Sequence, residues 1–319
     1  MAVEAKVRRY TVAADDGIGL AVEDVGPEDA DYAVLLSHGW CLGKFSWDKP
    51  KRLLNSRFGD QLRILAFDHR GHGHSDPADV GSYTVEQLGS DVAAVLRAAG
   101  VRGAVSLVGH SLGAMALLEY LRLPADQRPV DPQGLVLVST AAGHLADHGV
   151  GRLLGVPFLG VLAEVLGHPH HGGDKAARAL VRPICRAMTR VCGLCEADRN
   201  TLIATVANAV YSTPLSTAAG FLPTLKRFDA YSVLASIHAR TVVLSGGADL
   251  FTPAPLARDL VAGIAGARHR HLPAAGHMLL HEAPHVVVDE IARTIPVPAV
   301  RVGARRQIVS PAGRLVAQS

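Results

Sequence analysis

The sequence predicts an α/β fold, a mostly parallel central sheet with helices on both faces. Three observations lead there. Strand-like and helix-like runs alternate along most of the chain. The central strand candidates are nearly continuous apolar runs, as parallel strands covered on both faces should be. The chain has 319 residues, 49% of them hydrophobic and 19% charged, which is enough to enclose a large core.

Taken in order, "RRYTVAADDGIGLAVEDVG" reads as an entry hairpin turning at Asp16-Gly17, and "YAVLLSHG" as a buried strand flanked by turn residues. "LRILAFDHRG" is a second buried strand. "TVEQLGSDVAAVLRAAG" is a helix capped by Thr84 and closed by Gly100. "AVSLVGHS" is a third buried strand running straight into a helix, and "QGLVLVST" a fourth. "RTVVLSGGAD" and the shorter "ARHRHLP" complete the sheet, and one last helix covers about "MLLHEAPHVVVDEIART". Between Ser139 and about Leu234 the alternation stops and short helices broken by Gly and Pro are expected. The domain reading is therefore a core in two parts, 1–139 and 235–294, an inserted helical cap over 140–234, and a mobile C-terminal tail over 295–319, where Pro296, Pro298, Gly303, Pro311 and Gly313 interrupt every pattern.

Composition excludes several classes. The net charge is +3, from 32 basic and 29 acidic residues, and Arg301, Arg305, Arg306 and Arg314 of the tail account for the excess. No nucleic-acid partner is implied. The first residues lack the apolar run of a signal peptide, and no stretch is long and apolar enough for a membrane span, so the expectation is a cytoplasmic protein. Four cysteines are too few for a disulfide scaffold at this length.

The stretch Gly109-His110-Ser111-Leu112-Gly113 joins a strand to a helix. A serine hydroxyl is a weak nucleophile unless a base takes its proton, and it must stand clear of its own backbone. A sharp strand-to-helix turn achieves that; glycines two before and two after relieve its crowding, and the helix that follows aims free N–H groups at developing charge. The serine needs an imidazole, and the imidazole a carboxylate to hold its tautomer. In parallel sheets such groups come from the C-terminal ends of strands. "VVLSGGADLFTP" places Asp249 there, "LPAAGHMLLHEAP" places His277 after the last strand, and no acid follows the strand ending at Thr140. Two backbone N–H donors are needed for an oxyanion. Leu112 supplies one, and Trp40, after the His38-Gly39 turn, the other.

"LLSHGW", "FDHRGHGHSD", "VGHSLGA", "LSGGADLFTP" and "AAGHMLLHEAP" stand in an order and spacing that resembles the α/β-hydrolase fold superfamily over about residues 8–293, in its serine-nucleophile, capped, esterase- or lipase-like form. The resemblance implies Ser111 as nucleophile, His277 as general base and then acid, Asp249 as its partner, and Trp40 and Leu112 as backbone donors. It also implies that Asp68 and Arg70 brace the site. Superfamily members with aspartate on the elbow open epoxides or displace halides, and Ser111 argues against both.

Other residues have plainer readings. His110 is expected to point into the packing beneath the elbow, and His69, His72 and His74 to belong to a bracing loop. His281, one helical turn beyond His277, is the rival base. Cys185, Cys192 and Cys195 with His168, His170 and His171 could suggest zinc, but the cysteines lack a paired C-x-x-C, and packing on one helix face is preferred. Cys41 reads as a pocket-wall thiol. The apolar stretch 151–167 is expected to line an acyl pocket, with weak contact to a lipid surface as a second expectation. The functional expectation is cleavage of a small-molecule, acyl or lipid-like carboxylic ester through an acyl-enzyme, with no cofactor and no metal. The alternatives are a cofactor-free haloperoxidase or perhydrolase, a C–C bond hydrolase of dienoic ring-cleavage products, or a ligand-binding protein without turnover.

Overall fold

The computed structural model describes residues 6–149, 152 and 213–295. Its centre is an eight-stranded sheet in the order β1-β2-β4-β3-β5-β6-β7-β8. β1 (Val7–Ala13) and β2 (Gly19–Val25) form the expected hairpin, with Gly17 at φ 87 in the turn. β2 also runs antiparallel to β4 (Leu62–Phe67), and every further pairing is parallel, through β3 (Tyr32–Ser37), β5 (Val105–His110), β6 (Gly134–Val138), β7 (Arg240–Gly246) and β8 (Arg268–Leu272).

The apolar runs of the central strands divide residue by residue between two cores, because successive side chains point to opposite faces. Val34, Leu36, Ile64, Val108, Val136, Val242 and Leu244 face one side. There they meet Leu54 of α1 (Asp48–Phe58). Leu35, Leu65, Phe67, Leu107, Leu137 and Val243 face the other, against α2 (Val85–Ala98) and α3 (Leu112–Arg122). The cap of α2 is as expected: the Thr84 hydroxyl accepts the Gln87 N–H at 3.1 Å, and Gly100 beyond its end has φ 62.

Within the span read as a cap, the described residues include the short helices α4 (Leu215–Gly220), α5 (Leu222–Arg227) and α6 (Tyr231–Leu234). Phe221 is fully buried against Tyr83 and His72, and Thr217 donates to the Tyr83 hydroxyl at 3.1 Å. The apolar stretch 151–167 apart from Arg152, the three clustered cysteines with their neighbouring histidines, and the tail beyond Ile295 lie outside the described residues.

After β7 comes α7 (Ala254–Gly263), whose Leu256 and Leu260 join the α2 and α3 side. The single last helix of the sequence reading is two: α8 (Leu279–Glu282) and α9 (Pro284–Thr294), broken at Ala283 with φ −140 and ψ 50. The cause is Pro284, whose ring disfavours a helical conformation in the residue before it. α1 was not foreseen, since its apolar residues, Leu53, Leu54 and Phe58, are sparse among charges. Among the described residues no helix is long and apolar enough to cross a membrane.

One ion pair ties the layers together. Arg70 is wholly buried and grips Asp91 of α2 through two bonds of 2.7 Å, while its Nη1 reaches Asp16 of the entry hairpin at 2.6 Å. Burial works against its charge, but the two carboxylates outweigh burial and hold the guanidinium protonated. Removing one partner of a buried pair strands the other charge, a cost of about 3–5 kcal/mol. Asp91→Ala should lower the free energy of unfolding by that amount in urea denaturation; a loss below about 1 kcal/mol would show that Asp16 and water suffice for Arg70.

Candidate active site

Ser111, Asp249 and His277 all follow strands of the parallel part of the sheet, after β5, β7 and β8, at their C-terminal ends. Ser111 has φ 52 and ψ −120, a region that residues with side chains rarely enter. Its N–H donates to Val138 O at 2.9 Å and its carbonyl accepts the Thr140 hydroxyl at 2.9 Å, so the strand ending at β6 holds the elbow from both sides. The flanking glycines are required by close approach. A Cβ on Gly109 would lie 2.4 Å from Ala114 Cα, and one on Gly113 would lie 2.3 Å from Ser37 O and 2.4 Å from His38 O. The second contact sets the start of α3 directly against the end of β3. Trp40 follows that end and Leu112 opens the helix, and neither N–H donates to an acceptor among the described residues.

His277 Nδ1 donates to Asp249 Oδ2 at 2.8 Å. Asp249 is itself fixed: its Oδ1 accepts the N–H groups of Phe251 and Thr252 at 2.8 and 2.9 Å, and the Thr252 hydroxyl donates to Oδ2 at 2.8 Å. Burial pushes this carboxyl up, but His277 and these donors outweigh burial and hold it below the ordinary aspartate value. The loops carrying the pair are strapped by Gly247 N–H to Leu272 O and Ala248 N–H to Ala275 O, both 2.9 Å. With the proton on Nδ1 engaged by Asp249, Nε2 is the ring nitrogen left without it. The carboxylate binds His277 and makes no bond to the rival His281.

No direct hydrogen bond joins His277 to Ser111. Their link is His110, beside Ser111 in the chain, whose Nε2 donates to His277 O at 2.9 Å and whose ring lies 5.0 Å from that of His277. His110 is buried and points beneath the elbow, as expected from the sequence.

The other histidines brace the loop that carries Trp40. His38 Nε2 accepts the His69 N–H at 2.9 Å, so its Nδ1 donates to Gly39 O at 2.8 Å. His72 Nε2 accepts the Cys41 N–H at 3.1 Å, so its Nδ1 donates to Arg70 O at 3.0 Å. His69 Nε2 reaches His38 O at 3.1 Å. Asp68 receives the Lys44 N–H at 2.7 Å and the His74 N–H at 2.9 Å, and pairs with the Lys44 ammonium. Cys41, at φ 55, is buried within this loop. Among the described residues no group of three or more His, Cys, Asp or Glu is placed to hold a metal ion.

Thr140, Thr252 and Glu282 were not singled out from the sequence. Thr252 had a readable signal, since Asp-x-x-Thr is a pattern in which an aspartate caps the backbone two and three residues on. Glu282 had none, because its partners, the N–H groups of Gly276 and Met278, are set by a loop conformation.

A family model described as the alpha/beta hydrolase family matches residues 34–290. The chain belongs to that family. The α/β-hydrolase fold extends to a hydrolase from Pseudomonas aeruginosa PA01, which superposes with a TM-score of 0.71 at 24% identity over 91% of this chain and 99% of that one. In sequence, the chain is 36% identical over 111 residues to a non-heme chloroperoxidase of Streptomyces lividans, covering 35% of this chain and 38% of the relative. It is also 36% identical over 116 residues to the bifunctional esterase/perhydrolase DCH of Acinetobacter calcoaceticus, 36% of this chain and 40% of the relative. The aligned stretches thus span about two fifths of these relatives' lengths.

Four buried imidazoles, those of His38, His69, His72 and His110, set an acid limit on stability. Burial lowers His38, holds His69 well below its ordinary 6.5, and brings His72 and His110 down to about 3. The unfolded chain takes up protons at these sites near pH 6.5 and the folded chain does not, so stability falls as pH drops below about 6.5. Each histidine contributes up to about 1.4 kcal/mol per pH unit. The urea midpoint should therefore be level from pH 8 to 7 and fall steeply between pH 6 and 4; a midpoint constant from pH 7 to 5 would contradict neutral, buried histidines.

Proposed function

We propose that this α/β hydrolase is a serine hydrolase that cleaves a small-molecule carboxylic ester through an acyl-enzyme on Ser111. The observation that carries the reading is the 2.8 Å bond from His277 Nδ1 to a fixed Asp249 carboxylate, on the same edge of the sheet as a serine held at φ 52. In this reading His277 Nε2 takes the hydroxyl proton as Ser111 Oγ bonds to the ester carbonyl carbon. The carbonyl oxygen becomes an oxyanion facing the Trp40 and Leu112 N–H groups. Its collapse breaks the C–O bond, and the alcohol leaves with the proton from His277. Water then adds by the same steps and frees the acid. Asp249 keeps Nδ1 protonated and stabilises the imidazolium between steps; each oxyanion donor is worth about 3–4 kcal/mol of barrier.

The cap over 140–234 belongs to the proposal as the part that shapes the acyl pocket. The apolar composition of 151–167 supports an apolar acyl chain. Hydrolysis of p-nitrophenyl esters from acetate to palmitate should be fastest at medium or long chains, and Ser111→Ala should reduce it by about 10⁴-fold or more. Acetate turned over faster than octanoate would remove the apolar pocket, and activity retained in Ser111→Ala would remove the acyl-enzyme.

A second reading rests on the two relatives named as a chloroperoxidase and an esterase/perhydrolase. On the same residues, hydrogen peroxide would replace water in attacking the acyl-enzyme and release a peracid. Peroxide added to a turning-over ester reaction should then yield halide oxidation that vanishes in Ser111→Ala; acid as the sole product would leave hydrolysis alone.

A further inference from the structure

His277 is held by more than Asp249. Glu282 Oε2 accepts the Gly276 N–H at 2.7 Å and its Oε1 accepts the Met278 N–H at 2.9 Å. From the other side His110 Nε2 donates to the carbonyl of His277 itself. The carboxylate thus takes one N–H from each residue flanking His277: the Met278 N–H lies in the peptide directly after the His277 Cα, whose carbonyl His110 also holds, and the Gly276 N–H in the peptide one residue before the plane that leads into it. Capping does not account for both bonds. α8 begins at Leu279 with Met278 as its cap, and a capping side chain would need only the second.

We propose that Glu282 is a positioning residue for His277, gripping the backbone on both sides of it. The proposal rests on the serine hydrolase reading for its effect on catalysis, though not for its effect on the imidazole. The groups around His277 are Asp249 at 2.8 Å and Thr252 Oγ1 at 3.5 Å from the loop after β7, Phe251 with its ring 5.0 Å away, His110 from the elbow, and Glu282 from α8; His281 acts on His110. Burial raises the Glu282 carboxyl above its ordinary value, and the two N–H donors offset only part of that.

The test uses the full chain with Glu282→Gln and Glu282→Ala. Gln keeps the shape but loses the charge and turns an amide N–H toward one of the two backbone donors; Ala loses everything. Three quantities are read: the His277 ring resonances, including the Nδ1 proton bonded to Asp249, by NMR of histidine-labelled protein, the rate of Ser111 labelling by a fluorophosphonate across pH, and the melting temperature. In labelling, Ser111 Oγ bonds to phosphorus, fluoride leaves and the hydroxyl proton passes to His277, so the rate reports an aligned imidazole without a substrate. Glu282→Gln should shift the His277 ring resonances and weaken the Nδ1 proton signal of its bond to Asp249. It should also slow labelling at its pH plateau about tenfold, and Ala more so. Wild-type ring resonances and labelling in both variants, with only the melting temperature reduced, would make Glu282 a loop clamp and overturn the proposal. Wild type that takes no label while the ring resonances still shift in the variants would overturn the serine hydrolase reading and leave the grip on His277 standing. Should Glu282→Ala fail to fold, Glu282→Gln decides.

Discussion

Ser111 sits at φ 52, and the rest of the structure is arranged to keep it there. A side-chain-bearing residue in such a region costs about 1–3 kcal/mol, and it persists only where its surroundings over-determine it. Here its N–H bonds to Val138, its carbonyl accepts from Thr140, glycines two residues to either side allow close packing, and the helix start is pressed against the end of β3. The constraints come from β3 and from β6 with the residues just after it, so the elbow needs β3, β5 and β6 in register.

The same edge of the sheet concentrates buried ionisable groups, and their states are set by pairing. Burial pushes the Asp249 and Asp68 carboxyls up, and the donors and positive groups around them outweigh burial and hold both below the ordinary aspartate value. His38, His69, His72 and His110 stay neutral because each is buried and faces backbone groups, with no carboxylate in hydrogen-bond reach. His277 differs from them in having a carboxylate on one nitrogen. This difference in partner separates the candidate base from the four histidines that brace the site.

Most of the fold was legible because its signals are local. Buried parallel strands are apolar on both faces, so β3 to β7 appear as uninterrupted runs, and the Gly-x-Ser-x-Gly stretch sits where such a run meets a helical one. The order of Ser111, Asp249 and His277 followed from the rule that reactive side chains stand at the C-terminal ends of strands. α1 was missed because its helix buries few apolar residues, and the last helix was drawn through Ala283 because apolar residues continue on both sides of Pro284, which in the structure begins a second helix.

By itself, the sequence determined the architecture and the elbow and marked Ser111, Asp249 and His277 as candidates, with His281 as the rival imidazole, since these are written in spacing, apolar runs and turn residues along the chain. Tertiary structure alone decided which histidine meets Asp249, and which polar groups support the site. Thr140 lies 29 residues from Ser111 and His110 lies 167 from His277, and such contacts exist only once strands distant in sequence are side by side. Glu282 is near His277 in sequence, yet its two bonds depend on a loop bent by packing between β8 and α8, which local residue pattern does not specify.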